Sequence, residues 1–225
     1  MSNHGGKQTG GGPAAGTTGG RSATRVSRWL AKTLAHGLAL LLAFPLALLA
    51  GFGHFDEAFA TLAQLVALLP GLPGCYVRIA FYAMTLQGCP LEARVTFGSF
   101  FTSRDVVLSR GVYIGPYAVF GHCRIGERTQ IASHVQVLSG KNQHGRDAQG
   151  RMLAAEGQRF ATLEIGRDCW IGSGAIIMAD IGDGCTIGAG AVVTRPVPAG
   201  VTAVGNPARP LRPAAAASGA PQPEI

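Results

Sequence analysis

Large apolar side chains recur at every sixth position through the second half of the chain. The series contains Val95, Phe101, Val107, Tyr113, Val119, Ile125, Ile131, Val137, Ile165, Ile171, Ile177, Ile181, Ile187 and Val193. The spacing from Ile177 to Ile181 is four residues instead of six. A period of six fits neither an α-helix nor a plainly alternating strand. Sustained hexads are typical of a parallel β-helix, in which each short strand covers one side of a three-sided coil. The pattern predicts about five coils between residues 95 and 205, with these residues pointing inward.

The hexads stop after Val137 and resume at Ile165. The intervening segment is polar and rich in glycine, so it predicts an excursion loop over residues 138–164. Long loops on a rigid scaffold are a frequent location for binding and catalytic residues. We therefore expect the functional residues to be partly in this loop.

The first half of the chain shows a helical rather than a hexad pattern. Residues 29–53 are strongly apolar, and their uncharged core, residues 37–53, is at the short limit for crossing ~30 Å of hydrocarbon. Pro45 predicts a kink in this helix. Two further apolar helices are expected at residues 58–69 and 75–87.

Three interpretations of this helical region remain open: a cleaved signal peptide, a soluble helical cap and a shallow or re-entrant membrane hairpin. The apolar run begins late and lacks a clear cleavage site, which disfavours the signal peptide. Five of the 19 basic residues precede Asp56, the first acidic residue. A basic patch beside an apolar run favours the membrane hairpin, with a cytoplasmic N-terminus, over a nucleic-acid-binding surface.

The predicted organisation therefore has four parts. Residues 1–24 form a disordered tail, and residues 25–90 form an apolar, membrane-associated helical region. Residues 91–213 form the β-helix domain, and residues 214–225 form a flexible tail. The fold class is mainly β, with an N-terminal α-helical membrane-associated segment.

The five cysteines are odd in number and follow no metal-ligand spacing, so neither a disulfide framework nor a metal site is expected. Cys123, Cys169 and Cys185 fall within the hexads, where small buried apolar side chains are needed. The absence of a disulfide pattern favours a reducing compartment.

The last coils carry a family resemblance. The segments IGRDCWIGSGAII and IGDGCTIGAGAVVTRPVPAGVTAVGNPARPLR resemble the closing coils of hexapeptide-repeat acyltransferases, over about residues 95–213. The stretch LVALLPGLPGCYVRIAFYAMTLQGCP further resembles a membrane-associated subgroup found with polysaccharide synthesis. The resemblance implies a left-handed parallel β-helix, a homotrimer, and acyl-CoA (expected to be acetyl-CoA) bound in a groove between neighbouring coils.

Acyl transfer to a hydroxyl needs a base that removes the hydroxyl proton, and histidine suits this role near neutral pH. His144 lies in the excursion loop, where the resemblance places the catalytic base, whereas His122 and His134 lie on the coil, where structural roles are expected. Asn142 and Asp147 are candidates for orienting the imidazole or the acceptor. Both could equally be loop turn-formers.

The resemblance also implies a set of CoA-binding residues. These are Trp170, Ser173, Ala189, Thr194, Arg195, Arg209 and Arg212. Small residues allow pantetheine to approach backbone amides, and arginines pair with the CoA phosphates. Arg209 and Arg212 could instead be solvated surface charges.

The functional hypothesis is an acyl-CoA-dependent O-acetyltransferase that modifies a sugar hydroxyl of a lipid-linked or nascent polysaccharide, by direct transfer, at the cytoplasmic side of the inner membrane. Serine or another small molecule is the alternative acceptor. A non-enzymatic scaffold or a metal-dependent shell resembling carbonic anhydrase is the third possibility. His122 and His134 are two coil sides apart and do not suit that metal site.

Overall fold

The computed structural model describes residues 19–139, 147–152 and 161–211 of the 225-residue chain. The helices are α1 (Gly19–Leu49), a single 3₁₀ turn (Gly51–Gly53), α2 (Asp56–Ala67) and α3 (Gly71–Thr85). The strands are β1 (Arg94–Val95), β2 (Phe100–Phe101), β3 (Val106–Leu108), β4 (Tyr113–Ile114), β5 (Val119–Phe120), β6 (Cys123–Ile125), β7 (Gln130–Ile131), β8 (Gln136–Val137), β9 (Leu163–Ile165), β10 (Trp170–Ile171), β11 (Ile176–Ile177), β12 (Thr186–Ile187), β13 (Val192–Val193), β14 (Thr202–Val204) and β15 (Arg209–Pro210).

Two parts of the predicted organisation lie largely outside these ranges. Helix α1 begins within the predicted N-terminal tail, and residues 1–18 of that tail are outside the described residues. The predicted C-terminal tail, residues 214–225, is outside them as well. The chain divides into two compact units, Met1–Ala35 and His36–Ile225, and the contacts given below lie within the second.

The strands form three parallel sheets, one on each side of a coil. The first side has the order β1-β4-β7-β10-β12-β14, with β15 antiparallel at its edge. The second side is β2-β5-β8-β11-β13 and the third is β3-β6-β9, which single bridges at Ile181 and Val197 extend. This is a parallel β-helix of about six turns, compared with the five predicted, and it confirms the predicted fold class.

The interior of the coil is filled by the hexad side chains. From Ile125 onward every predicted inward residue is buried: Ile125, Ile131, Val137, Ile165, Ile171, Ile177, Ile181, Ile187 and Val193. Equivalent residues stack along the coil axis, for example Ile131, Ile171 and Ile187 on the first side. The close packing of these columns excludes water from a narrow apolar core.

Three of the predicted inward positions are wrong by one residue. The predicted residues, which are only half-buried, are Val107, Tyr113 and Val119. The residues buried in their place are their immediate successors, Leu108, Ile114 and Phe120. Leu108 lies seven positions after Phe101, and Ile125 lies five positions after Phe120. Compared with the regular spacing of six, the first step is one residue longer and the second is one residue shorter. The register therefore returns to the predicted one at Ile125.

Helices α2 and α3 close the N-terminal end of the coil. The Phe81 ring lies 6.0 Å from that of Phe59 and 5.5 Å from that of Tyr82. Tyr82 in turn packs edge-on against Phe101 of the first coil, at 4.7 Å. Both helices bury aromatic side chains between themselves and the first coil, and together they form a cap on its N-terminal end.

A buried arginine fastens this cap. The Arg78 side chain is fully buried, and its Nη1 donates to the carbonyl oxygens of Val66, Ala67 and Leu69 at 3.0, 3.1 and 2.8 Å. Its Nε donates to the Val95 carbonyl oxygen in β1 at 3.1 Å. The guanidinium thus satisfies carbonyl groups at the end of α2, which a helix cannot satisfy itself, and joins α2, α3 and the first coil.

Helix α1 supplies the remaining apolar segment. Within the described residues, one helical stretch, Trp29–Leu49, is long and apolar enough to cross a membrane by length and composition. Pro45 lies inside this helix. The buried side of α1 is made of alanines, Ala39, Ala43 and Ala47.

Candidate functional site

The excursion begins and ends at a corner that is built around His122. The His122 N–H donates to Ser139 Oγ at 3.0 Å, just before the excursion leaves the coil. The His122 carbonyl accepts a 3.1 Å hydrogen bond from the N–H of Leu163, where the chain re-enters the coil. A Cβ on Gly121 would lie 2.5 Å from Ser139 Oγ, so a larger residue here would displace the Ser139 hydroxyl. Both roots of the loop are therefore held by one residue of the preceding coil.

The His122 side chain faces a carboxylate. Its Nδ1 lies 3.8 Å from Asp105 Oδ2, and the other carboxylate oxygen, Oδ1, accepts a 2.6 Å hydrogen bond from Gln87 Nε2. The His122 side chain is 19% exposed and that of Asp105 is 44% exposed. An amide, a carboxylate and an imidazole thus follow one another from the cap to the root of the excursion. The 3.8 Å separation brings the imidazole and the carboxylate close together but is longer than a hydrogen bond.

The hexad pattern alone assigns no function to this pair. The signal that could have found it is a separation of 17 residues, which equals the length of one coil at this level, since Val106 pairs with Cys123. Regular hexads predict a coil of about 18 residues, which would not stack Asp105 with His122. The pair becomes recognisable only when the different length of this coil is known.

The predicted base and its neighbour, His144 and Asn142, lie outside the described residues. Asp147 is described, and its carboxylate stabilises a turn. Asp147 Oδ1 accepts hydrogen bonds from the N–H groups of Gln149 and Arg151, both at 2.9 Å, and Oδ2 accepts one from Arg151 Nε at 2.7 Å. These bonds, led by the Arg151 N–H, hold the pKa of Asp147 below its usual range. The turn-forming alternative is the better description of Asp147.

Three of the predicted CoA-binding residues lie on adjacent coils. Trp170 is on the outer side of β10 and 56% exposed, Ser173 is at the corner that follows, and Ala189 occupies the same corner one coil later. Gly172 has no space for a side chain, because a Cβ would lie 2.5 Å from the Ala189 nitrogen. Ser173 Oγ lies 3.3 Å from Ser133 Oγ of the previous coil. Small residues thus form a shallow corner at which backbone is accessible.

The other predicted CoA-binding residues are elsewhere. Thr194 and Arg195 follow β13, at the next corner of the coil. Arg209 is exposed in β15, and its Nη1 donates to the Ala208 carbonyl oxygen at 2.9 Å. Arg212 lies outside the described residues. A single subunit therefore does not bring all these residues to one corner.

The hexad cysteines are buried thiols, as predicted. Cys169 Sγ lies 3.1 Å from the Gly182 carbonyl oxygen, and Cys185 Sγ lies 3.0 Å from that of Pro198. Burial, assisted by Glu164, raises the pKa of the Cys123 thiol to about 12, and burial also raises the pKa of Cys169. Thiols of this kind are poor nucleophiles. Among the residues that the structure describes, no group of three or more His, Cys, Asp or Glu side chains could hold a metal ion.

Comparisons with known proteins agree with this architecture. Residues 163–195 match the family described as bacterial transferase hexapeptide (six repeats), which confirms the resemblance predicted from the sequence. None of the curated proteins matches the chain in sequence.

Solved structures show the same fold. A maltose O-acetyltransferase from Clostridium difficile 630 is 23% identical over 70% of this chain and 85% of its own, with a TM-score of 0.57. The hexapeptide-repeat acetyltransferase VCA0836 from Vibrio cholerae is 19% identical over 70% of this chain and 91% of its own, with a TM-score of 0.53. The acetyltransferase domain of PglB from Neisseria gonorrhoeae FA1090 is 26% identical over 53% of this chain, with a TM-score of 0.41, and this chain spans 48% of that one. The first two of these structures share the parallel β-helix fold with this chain.

Proposed function

The chain carries the hexapeptide repeat of bacterial transferases on a parallel β-helix, and on that premise we propose that it is an acyl-CoA-dependent O-acyltransferase. The acceptor is a sugar hydroxyl of a membrane-linked or nascent cell-surface polysaccharide or glycolipid. The enzyme acts at the cytoplasmic side of the inner membrane, as a homotrimer with acyl-CoA, in the first instance acetyl-CoA, between neighbouring coils.

One observation carries this proposal. The regular coil is interrupted once within the described residues by a long excursion, and the root of that excursion adjoins an Asp105–His122 pair. A rigid scaffold, a polar loop and an imidazole beside a carboxylate at one corner are elements that suit acyl transfer to a hydroxyl. A scaffold protein would need none of them.

In the proposed reaction the acceptor hydroxyl oxygen attacks the thioester carbonyl carbon while the His144 imidazole takes its proton. The tetrahedral intermediate collapses, the carbon–sulfur bond breaks, and the CoA thiolate leaves and takes up a proton. Backbone N–H groups stabilise the developing oxyanion. The hexad thiols are buried, and burial raises the pKa of Cys123 and Cys169. Because such thiols are poor nucleophiles, the proposed transfer is direct and forms no acyl-enzyme on these cysteines.

We assign the acceptor side of the site to His122 and Asp105. Asp105, held by Gln87, faces the imidazole of His122 at 3.8 Å, and that imidazole hydrogen-bonds a hydroxyl of the acceptor sugar. The donor side comprises Trp170, Ser173 and Ala189 at one corner, with Thr194, Arg195, Arg209 and Arg212 as further contacts to CoA. Trp170, Ser173 and Ala189 share one corner, whereas Thr194 and Arg195 follow the later strand β13. A groove between two subunits of the proposed trimer is the arrangement that would use them together.

The test is an acyl-transfer assay on the full chain with acetyl-CoA and an extract of lipid-linked saccharides. His144→Asn should lower kcat by ~10²–10⁴-fold, the usual contribution of a general base, and should leave acetyl-CoA binding intact. His134→Asn is the matched control, since His134 is an exposed histidine on the coil and should retain normal turnover. A loss below about tenfold in His144→Asn would exclude it as the base, and preferential acetylation of free serine would favour the small-molecule alternative.

A further inference from the structure

Helix α1 buries alanines and exposes leucines. The buried side chains of its C-terminal half, all at most 3% exposed, are Ala39, Ala43, Ala47 and the following Ala50. The large exposed side chains, all between 50% and 72% exposed, are Leu38, Leu41, Leu42, Phe44, Leu48 and Leu49. Residues three or four apart share one side of a helix, so the alanines form one side and the second group, the leucine face, forms the other. A helix on a water-facing surface has the reverse arrangement.

The leucine face continues beyond the helix. The Phe44 ring contacts that of Phe52 in the 3₁₀ turn, at 6.2 Å, and Phe52 is 40% exposed. Monomeric soluble proteins rarely expose a contiguous apolar surface of this kind unless it binds something. The leucine face therefore needs an apolar partner.

Both ends of this helical stretch are attached to the first coil of the β-helix. At one end, His36 Nε2 lies 3.1 Å from the Leu91 carbonyl oxygen, just before β1, and the His36 ring packs edge-on against Tyr76 at 4.9 Å. At the other end, His54 Nδ1 lies 2.6 Å from Nη1 of Arg104, which is part of the first coil. Residues 36–49 form about 21 Å of helix. This length of α1 consequently lies against the end of the coil and its cap and does not project from them.

This attachment conflicts with a membrane-spanning helix. A spanning helix needs ~20 residues with lipid around it over ~30 Å. Only seven residues of the apolar stretch Trp29–Leu49 precede His36, and the remainder has protein along its alanine side. We infer that the leucine face inserts into one leaflet of the membrane with the helix parallel to the bilayer plane, so that the protein lies on one side of the membrane. This inference specifies how the proposed membrane association is made.

The sequence beside the leucine face favours lipid over a second copy of the chain. Arg21, Arg25, Arg28 and Lys32 precede it, and no acidic residue occurs before Asp56. Such a run is attracted to anionic headgroups, whereas two copies in contact would bring like charges together. Trp29, at the start of the apolar stretch, is 65% exposed, and tryptophan is enriched at membrane–water interfaces.

The first experiment measures binding of the full chain to vesicles of phosphatidylcholine with and without phosphatidylglycerol. The triple variant Leu38→Gln, Leu41→Gln, Leu48→Gln should lower the partition coefficient by on the order of a thousandfold, since each buried leucine is worth about tenfold. Leu211→Gln is the control, an exposed leucine distant in sequence from the leucine face. Equal binding by the triple variant would overturn the inference. So would a triple variant that keeps its vesicle binding but loses an oligomer seen by size-exclusion chromatography, because the face would then be a contact between copies.

The second experiment determines the sidedness of the two ends. Ser2→Cys and Ser218→Cys variants are treated in intact cells with a membrane-impermeant maleimide, and the unmodified chain gives the background from the native cysteines. If the helix lies in the membrane plane, both ends of the chain are on the same, cytoplasmic side. The maleimide should then label neither introduced cysteine in intact cells and should label both after the membrane is opened. Labelling of one end alone in intact cells would show that α1 spans the membrane and would refute the inference. Neither measurement requires acyl transfer, so the inference can fail while the proposed activity stands, and the reverse.

Discussion

Replacing the buried Arg78 by methionine should destabilise the protein through the loss of four carbonyl contacts. Arg78→Met retains the length and much of the volume of the side chain, so it removes the guanidinium with little change in packing. The lost partners are the carbonyl oxygens of Val66, Ala67, Leu69 and Val95. Since these belong to the end of α2 and to β1, the effect should be a loosening of the cap from the coil.

The size of the effect follows from opposing terms. Hydrogen bonds to a charged group contribute ~1.5–3 kcal/mol each, which for four bonds is on the order of 6–12 kcal/mol. Removing a buried charge recovers several kcal/mol of desolvation. The penalty is also incomplete, because the Ala67 carbonyl keeps a 2.8 Å bond from the Gly98 N–H and that of Val66 keeps a 3.3 Å bond from the Leu69 N–H. We therefore expect Arg78→Met to lower the free energy of unfolding by about 3 kcal/mol.

The assay is urea unfolding followed by circular dichroism at a fixed protein concentration, because oligomerisation makes apparent stability depend on concentration. Arg78→Lys should recover only part of the loss, since an ammonium group cannot reproduce the spread of the guanidinium donors. The matched control is Arg110→Met, at an exposed corner of the coil, where a change within about 0.5 kcal/mol is expected. If Arg78→Met unfolds within about 1 kcal/mol of the natural chain, the carbonyl groups have other donors and Arg78 does not fasten the cap.

Three further predictions concern the coil and its site. Leu108→Asp should abolish soluble folding by placing a charge in the apolar core, whereas Val107→Asp, on the half-exposed side of the same strand, should fold; equal tolerance by both would show that the register is wrong. His122→Gln should raise the KM for the acceptor by about 10–100-fold, the loss of a hydrogen bond to a charged or oriented partner, and leave the KM for acetyl-CoA unchanged; the opposite split would move this residue to the donor side. In the folded protein Cys123 and Cys169 should resist alkylation by iodoacetamide at neutral pH because burial raises the pKa of both thiols, and an acylated cysteine trapped with acetyl-CoA alone and detected by intact mass would contradict direct transfer.

The coil could be predicted from the sequence because its period is set by geometry. Each side holds two or three residues, one of which must enter a narrow core, so an apolar residue recurs at intervals of six wherever corners have equal lengths. The prediction failed only where a corner is longer and two adjacent apolar residues compete for the core, as in Val107-Leu108, Tyr113-Ile114 and Val119-Phe120. A hydrophobic pattern cannot decide between neighbours that are both hydrophobic. The decision comes from pairing along the coil axis, here Ile114 with Ile131 and Phe120 with Val137.

The helical region was predictable in position but not in its contacts. The expected helices at residues 58–69 and 75–87 correspond to α2 and α3 within a few residues. Their apolar composition suits a bilayer and a protein core equally well, and the sequence analysis favoured the bilayer. Arg78 is the informative residue, because a cation in an apolar helix is tolerated where carbonyl groups surround it, as they do at the end of α2. That contact depends on tertiary structure and has no local sequence signal.

The cap, the leucine face and the excursion corner also determine where an acceptor would have to be. His54, which follows α1, contacts Arg104, and the next residue in the first coil is Asp105, the partner of His122. Successive coils are separated by the spacing of paired strands, ~4.8 Å, so His122 lies about one coil and the root of the excursion about two coils from the level at which α1 is attached. If α1 lies in the membrane surface as we infer, the proposed acceptor site is then only on the order of 10 Å from the level of that attachment. A saccharide still joined to its lipid carrier could reach it without leaving the membrane, while acyl-CoA would approach the closing coils from the aqueous side. The two substrates would thus enter from different directions, and we expect the inferred membrane contact of α1 to favour a lipid-linked acceptor.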